Sequence, residues 1–174
     1  MNILDEIVAN TKAKVSIAKE KVSLDDLAST IHSKKIVKSK FKASLKDKDQ
    51  AIIAEIKKAS PSAGIISENF DPVTKAQEYE AFGASALSIL TEEDYFLGST
   101  QYLKDVKKIS KLPILRKDFI VDIYQIYESK LIGSDCILLI ASILSDEELN
   151  DFTQLADTLG LDYIIEVHLS LIHI

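Results

Sequence analysis

The sequence predicts an α/β fold built on a parallel sheet, and three features carry that prediction. Apolar runs short enough to be strands alternate with amphipathic stretches from residue 51 onward. The runs recur every ~25–30 residues, about the length of a strand, a crossover helix and their loops. Capping residues fall where the intervening helices should begin, and glycines where three of them should end. Strict alternation of strand and helix is what parallel βαβ units produce.

Taken in order, residues 3–21 are expected to be helical, with Ile3, Ile7, Ala9, Val15 and Ala18 set among Lys and Glu. Ser23-Leu24-Asp25-Asp26-Leu27 starts a second, short helix. Residues 33–50 are rich in Lys, Ser and Asp, with Ile36, Val37, Phe41 and Leu45 as apolar anchors, and read as a covering segment or linker. Ala51–Lys57 is the first strand, taken as buried because its start is continuously apolar. Asp71 caps a helix with Pro72 at its first position, and Gly83 ends it. Ser85–Thr91 is the second strand. Ser99–Ser110 is a helix carrying Leu103, Val106 and Ile109. Leu112–Arg116 is the third strand, entered through Pro113. Asp122–Ile132 is a helix stopped by Gly133, and Asp135–Ile140 the fourth strand. Ser145-Asp146-Glu147-Glu148 is a capping box. It opens a helix that stacks Leu149, Phe152, Leu155 and Leu159 before Gly160. Asp162–Val167 is the fifth strand. The expected organisation is a helical extension over residues 1–50, a run of about five βα units forming a partial (β/α) barrel over 51–168 and a short tail over 169–174.

Two architectures fit such a pattern: a doubly wound open sheet, or part of a (β/α)8 barrel. No G-x-G-x-x-G follows the first strand, so the dinucleotide-binding version has no support.

Composition excludes several function classes. The 174 residues are 47% hydrophobic and 28% charged, ordinary for a globular protein. The net charge of −6 is unevenly spread: residues 1–50 carry 11 lysines against 7 acids, and the remainder carries 20 acids against 10 bases. The basic segment interleaves its lysines with acids and apolar residues, which reads as a solvated helix face and not a nucleic-acid arm. No apolar run approaches the ~20 residues that span a bilayer. The N-terminus lacks the basic and apolar regions of a signal peptide, so a cytoplasmic protein is expected. Cys136, the only cysteine, sits in an apolar run and reads as a small core residue. His168 and His173 lie five apart without a third ligand, and no metal site is assigned. Oligomeric state leaves no signal in the sequence.

The unusual charges lie at the carboxyl ends of the strands, where both architectures put their active sites. Lys57 closes the first strand, Lys117 follows the third, and Glu166 lies near the end of the fifth. Glu55, two residues before Lys57, shares its strand face. In a barrel, alternate strands fill one interior layer, so strands one, three and five would aim these groups into one mouth. Inward-facing charges are costly to desolvate unless paired, which favours a functional reason for them.

The same residues carry a resemblance. "AEIKKASPSAG", "DYFLGS", "LPILRKDFIVD", "GSDCILLIASIL" and "YIIEVH" resemble, in order and spacing, the signatures of the indole-3-glycerol phosphate synthase family. The likeness runs to about residue 168 and includes the helical extension. It implies a (β/α)8 TIM barrel, here represented by about five βα units. It also implies closure of the pyrrole ring of 1-(2-carboxyphenylamino)-1-deoxyribulose 5-phosphate with loss of CO₂ and water, a step of tryptophan biosynthesis. No metal or organic cofactor is implied, and the partner is a phosphorylated small molecule, with neither nucleic acid nor membrane.

By the resemblance, Lys117 is the general acid, made a better donor by burial or a neighbouring cation. Lys57 is an anion ligand for the anthranilate carboxylate, or assists the acid. Glu166 is the general base of the later proton removal and dehydration, and Glu55 orients the lysines and contacts substrate. Ser60 and Pro61 shape the first βα loop over the substrate. Phe96, Phe119 and Leu138 line the aromatic ring, although Leu138 also reads well as plain core. After His168 the family would continue into three more strands and a Gly-rich phosphate loop, whereas Leu169–Ile174 reads as foreign to it. The expectation is therefore that residues 1–174 alone are inactive. Two other readings compete on the residues. A related phosphate-binding barrel such as phosphoribosylanthranilate isomerase would want a Cys/Asp pair, and Glu55-x-Lys57 argues against it. A non-catalytic interaction module would use an exposed sheet edge and the basic N-terminal segment.

Overall fold

The alternation expected from residue 51 is present in a computed structural model, which describes residues 3–46 and 48–167. Three helices come first: α1 (Ile3–Lys21), α2 (Leu24–His32) and α3 (Phe41–Lys46). Strand β1 (Ile53–Ile56) follows, then a small antiparallel hairpin of β2 (Ala59–Ser60) and β3 (Gly64–Ile65) that the sequence did not signal. The rest alternates: α4 (Pro72–Ala81), β4 (Ala86–Leu90), α5 (Thr100–Ile109), β5 (Ile114–Lys117), α6 (Ile123–Ile132), β6 (Cys136–Ile140), α7 (Asp146–Thr158) and β7 (Asp162–Glu166). His168, His173 and the expected tail lie outside the described residues.

The strand order β1-β4-β5-β6-β7 decides between the two architectures. Each strand pairs in parallel with the next βα unit's strand, always on the same side. A doubly wound sheet reverses direction at a switch point. Continuous winding is that of a (β/α)8 barrel, of which five consecutive strands are described.

The helix caps are those the sequence announces. Asp71 accepts from Val73 and Thr74 with Pro72 at the first position, and Ser99 and Asp122 cap α5 and α6. Ser145 and Glu148 close a reciprocal capping box on α7. At Gly160 the backbone is left-handed (φ 66°), and a Cβ would stand 3.0 Å from the Val37 carbonyl. Glycine both ends the helix and lets the segment before α3 pack close.

Two apolar layers result. On the outer face, Ile56, Leu87, Ile89 and Ile114 meet Ala76, Leu103 and Val106, while Ile137 and Leu139 meet Ile126, Phe152 and Leu159. On the inner face, Ala86, Leu115, Cys136, Leu138 and Ile140 form a third cluster around Phe41. Phe41 sits at the amino ends of the strands, where Lys42 N–H also donates to Asp162 at 2.8 Å. The covering segment therefore plugs the bottom of the barrel through Phe41 and Leu45, while Val37 is exposed. Cys136 is wholly buried, as expected, and burial pushes its thiol well above its ordinary value.

Three expectations fail for identifiable reasons. The first strand is not buried at its start: Ile52 is 58% and Ile53 37% exposed, because β1 is an outermost strand of the described sheet. Ile109 is 45% exposed although Leu103 and Val106 are buried. Six residues at ~100° each return only to 240°, well off the face that position 103 defines. In α1 the buried set is Ile7, Thr11 and Val15, spaced by four, whereas Ile3 and Ala9 are exposed.

Candidate active site

The inner face of the sheet carries its charge at the carboxyl end. Period-two alternation puts Glu55 and Lys57 of the first strand, Lys117 of β5 and Glu166 of β7 on that face. The register then fixes their height. Glu55 pairs across with Ser88, Ser88 with Leu115, Leu115 with Cys136 and Cys136 with Asp162. A barrel of eight strands with shear 8 climbs about one residue per strand. Two strands on, the level of Glu55 has moved from Leu115 to Lys117. Four strands on, it has moved from Asp162 to Glu166. Glu55, Lys117 and Glu166 thus occupy one layer, with Lys57 one pleat above.

The four groups line a cavity of about 310 Å³ with Leu90, Phe96, Asp118, Phe119, Leu138 and Ile140. They pair off within it: Lys57 Nζ stands 2.7 Å from Glu55 Oε1, and Lys117 Nζ donates to Glu166 Oε2 at 3.4 Å. Each of the four side chains is about one-third exposed. Ion pairs that wet contribute little to stability, so stability does not explain two of them facing one cavity. The opposite wall is apolar. The Phe96 and Phe119 rings lie 6.1 Å apart at 40°, beside Leu90, Leu138 and Ile140. One side of the site is ionic and the other suits a flat ring.

Behind β5 lies a second set of charges that the sequence reading missed. Arg116 points outward and is 3% exposed. Its Nε and Nη2 donate to Asp118 at 3.3 and 3.0 Å, and its Nη1 to the Gln125 carbonyl and Ser129 Oγ. Nη1 also pairs with Glu128 at 2.7 Å. Burial works against the guanidinium charge, but Asp118 and Glu128 outweigh it and hold the group above its ordinary value. Thr91 Oγ1 donates to Asp118 at 2.5 Å, and Thr91 N–H to the Lys117 carbonyl at 3.1 Å. The backbone on both sides of Lys117 is thereby fixed. A signal existed: a residue next to an inward lysine must face outward, and a buried arginine needs carboxylates. Asp118, two positions on, is the nearest.

Ser60 and Pro61 are not among the cavity's lining residues. Ser60 Oγ accepts from Ala63 N–H at 3.2 Å in the turn of the β2–β3 hairpin, and Pro61 is exposed there. The hairpin reaches the site through the Ala59 N–H, which donates to the Phe96 carbonyl at 3.2 Å.

A family model described as indole-3-glycerol phosphate synthase matches residues 4–170. The chain belongs to the indole-3-glycerol phosphate synthase family. Relatives bearing that name include one from Ruminiclostridium cellulolyticum, 51% identical over 168 residues, which are 95% of this chain and 64% of the relative. Another, from Clostridium acetobutylicum, is 52% identical over 166 residues, covering 95% and 63%. A third, from Thermoanaerobacter pseudethanolicus, is 48% identical over 166 residues with the same coverage. The chain spans just under two thirds of the length of these relatives.

Proposed function

We propose that the protein to which these βα units belong is a carbon–carbon lyase of tryptophan biosynthesis. It would close the pyrrole ring of 1-(2-carboxyphenylamino)-1-deoxyribulose 5-phosphate, releasing CO₂ and water. The observation that carries the reading is the division of one cavity into an ionic wall, Glu55, Lys57, Lys117 and Glu166, and an aromatic wall, Phe96 and Phe119. The ring carbon bearing the carboxylate attacks the ketone, and the electron pair of the C=O bond moves to oxygen. Lys117 donates the proton that this developing alkoxide needs. Loss of CO₂ returns the carboxylate's bonding pair to the ring. Glu166, 3.4 Å from Lys117 Nζ, takes the proton that the substrate loses in dehydration and passes it to the departing hydroxyl, which leaves as water. Lys57 holds the substrate carboxylate, with Glu55 fixing its ammonium at 2.7 Å. Phe96, Phe119 and Leu138 receive the ring, and Ser60 and Pro61 act on the substrate only through their loop.

The phosphate would be held by the loops after strands seven and eight, as in such barrels generally. Binding energy from a remote phosphate is what a barrel spends on orientation at the reacting carbons. The reading includes a cytoplasmic location and a phosphorylated small-molecule substrate. None of the described helices is long and apolar enough to cross a membrane.

The test is Lys117→Ala in a barrel completed with the last third of one of the relatives, followed by fluorescence of the indole product. Turnover should fall ~10²–10⁴-fold with KM little changed, the effect of losing a general acid. A raised KM at near-normal kcat would make Lys117 a binding group and refute the assignment.

A further inference from the structure

We propose that Glu92 is a positioning residue for the aromatic wall. Its carboxylate, buried inside the loop between β4 and α5, fixes where the Phe96 ring stands against Phe119, and so how a flat aromatic ligand is received. The inference rests on the reading of those two rings as the ligand's aromatic wall.

Glu92 is 5% exposed. Its Oε1 accepts from Asp94 N–H at 3.0 Å, and its Oε2 from Tyr95 N–H at 2.7 Å and Phe96 N–H at 3.0 Å. Three successive loop amides converge on the carboxylate of the residue that opens the loop, which becomes a nest wrapped around its own anion. The Glu92 backbone joins in, its carbonyl accepting from Gly98 N–H at 2.7 Å. Leu97, between these tied residues, has φ 51°, a conformation that non-glycine residues hold only where the surroundings dictate it. At Gly98 no side chain fits, since a Cβ would lie 2.5 Å from the Leu90 carbonyl oxygen. The Phe96 carbonyl in turn accepts the Ala59 N–H, so the first βα loop hangs on the same peptide.

The other ring is held in the same way. Phe119 N–H donates to Asp118 Oδ1 at 2.9 Å, and Asp118 is 8% exposed. Each ring of the wall is thus suspended from an amide gripped by a buried carboxylate behind it. Burying a carboxylate in a short surface loop is costly unless it is fully hydrogen-bonded, and a loop that only joined β4 to α5 would gain nothing from it. A side-chain amide cannot replace it: one end of Gln accepts, but the other presents N–H groups to backbone donors.

The experiment compares the 174-residue chain with Glu92→Gln and Glu92→Asp. The aspartate keeps the charge but is one methylene too short to reach all three amides, and it serves if the glutamine variant does not fold. Glu93→Gln is the control, since that carboxylate meets Lys14 on the exposed side. Two measurements are made. Without ligand, NMR reads cross-relaxation between the Phe96 and Phe119 ring protons and exchange protection of the Tyr95 and Phe96 amides. With ligand, 2-aminobenzoate is titrated and followed by its own fluorescence. Both Glu92 variants should lose the ring–ring contact and the protection, and bind 2-aminobenzoate about two- to tenfold more weakly, the value of one aromatic contact. Glu93→Gln should match the wild type. Retention of the ring contact and protection in the variants overturns the proposal. Loss of the contact with undiminished 2-aminobenzoate binding also overturns it, since Glu92 would then brace the loop and nothing more. Loss of the contact in a chain whose wild type does not bind 2-aminobenzoate upholds the positioning of the ring and refutes the aromatic-wall reading instead, so the two failures are distinct.

Discussion

Arg116→Met is the substitution whose cost the structure specifies best. The methionine fills much of the same space among Gln125, Ser129 and the start of α6, but removes the cation. Two carboxylates then lose their partner. Glu128 is one-third exposed and can turn to water. Asp118 is 8% exposed and cannot. Of its four hydrogen bonds, those from Arg116 Nε and Nη2 vanish, while those from Thr91 Oγ1 and Phe119 N–H remain. Breaking a buried pair typically costs ~3–5 kcal/mol. With half of its donors retained, Asp118 places the loss near the lower end, about 3 kcal/mol, or a fall in Tm of ~6–12 °C for a chain of this size. Asp118→Ala strands the guanidinium instead and should cost a similar amount. The double variant leaves no buried charge uncompensated except the mobile Glu128, so it should be less destabilised than the two singles added, by ~2 kcal/mol. Urea unfolding of all four chains at one pH measures this, provided the m-values agree. A single variant within 1 kcal/mol of wild type, or two singles that simply add, would show that the Arg116–Asp118 pair is not the buried unit described.

Two further outcomes follow from local geometry. Gly98→Ala should destabilise the chain by ~2 kcal/mol or more, since the new Cβ would stand 2.5 Å from Leu90 O and 2.7 Å from Glu92 O, both of them backbone atoms that cannot swing aside; a thermal melt equal to wild type would contradict this. Hydrogen bonds from the Ser145 backbone and hydroxyl hold the Glu148 carboxyl below its ordinary 4.5. A carboxyl lowered in the folded state stabilises above its unfolded value and stops doing so as pH falls through its folded one. The stability gap between wild type and Glu148→Gln should therefore be full at pH 6 and close below pH 4.5, and a gap that widens with acid would reverse the sign.

Much of the fold is legible in the sequence because each local signal agrees with its neighbour. Asp71-Pro72, Ser99, Asp122 and the Ser145 capping box start helices, glycine marks the far end of three of them, and the runs between them pair in chain order. What escapes is what local pattern does not encode. Ala51-Ile52-Ile53 has the composition of a buried strand, yet burial depends on a neighbour on its far side, and in the described sheet β1 is outermost. The β2–β3 hairpin has only two residues per strand, too few for periodicity to register. The plug at the barrel floor rests on Phe41, one aromatic in a lysine-rich segment whose composition argues for solvent.

The site divides along the same line. Glu55, Lys57, Lys117 and Glu166 are readable because charges at strand ends contradict the apolar pattern that precedes them, and period two with the barrel's shear carries three of them to one height. Arg116, Asp118 and Glu92 contradict nothing in one dimension: each sits beside other charged residues and looks solvated. Their burial appears only once α1 and α6 cover the outer side of β5. There Lys14, Arg116, Glu92, Asp118 and Glu128 line a separate cavity of about 180 Å³. That cavity backs directly on the inner one, with Asp118 in the wall of both. A perturbation on the outer side, at Arg116 or Thr91, therefore reaches Phe119 through Asp118, which lines both cavities. Lys117, facing the inner cavity, and Arg116, paired behind the strand, are neighbours on one four-residue strand, Ile114–Lys117. A shift of β5 by one residue would exchange Lys117 for Arg116 in the layer that holds Glu55 and Glu166. The ion pairs of Arg116 behind the strand oppose that slip, because it would drag the guanidinium away from Glu128, Ser129 and the Gln125 carbonyl at once.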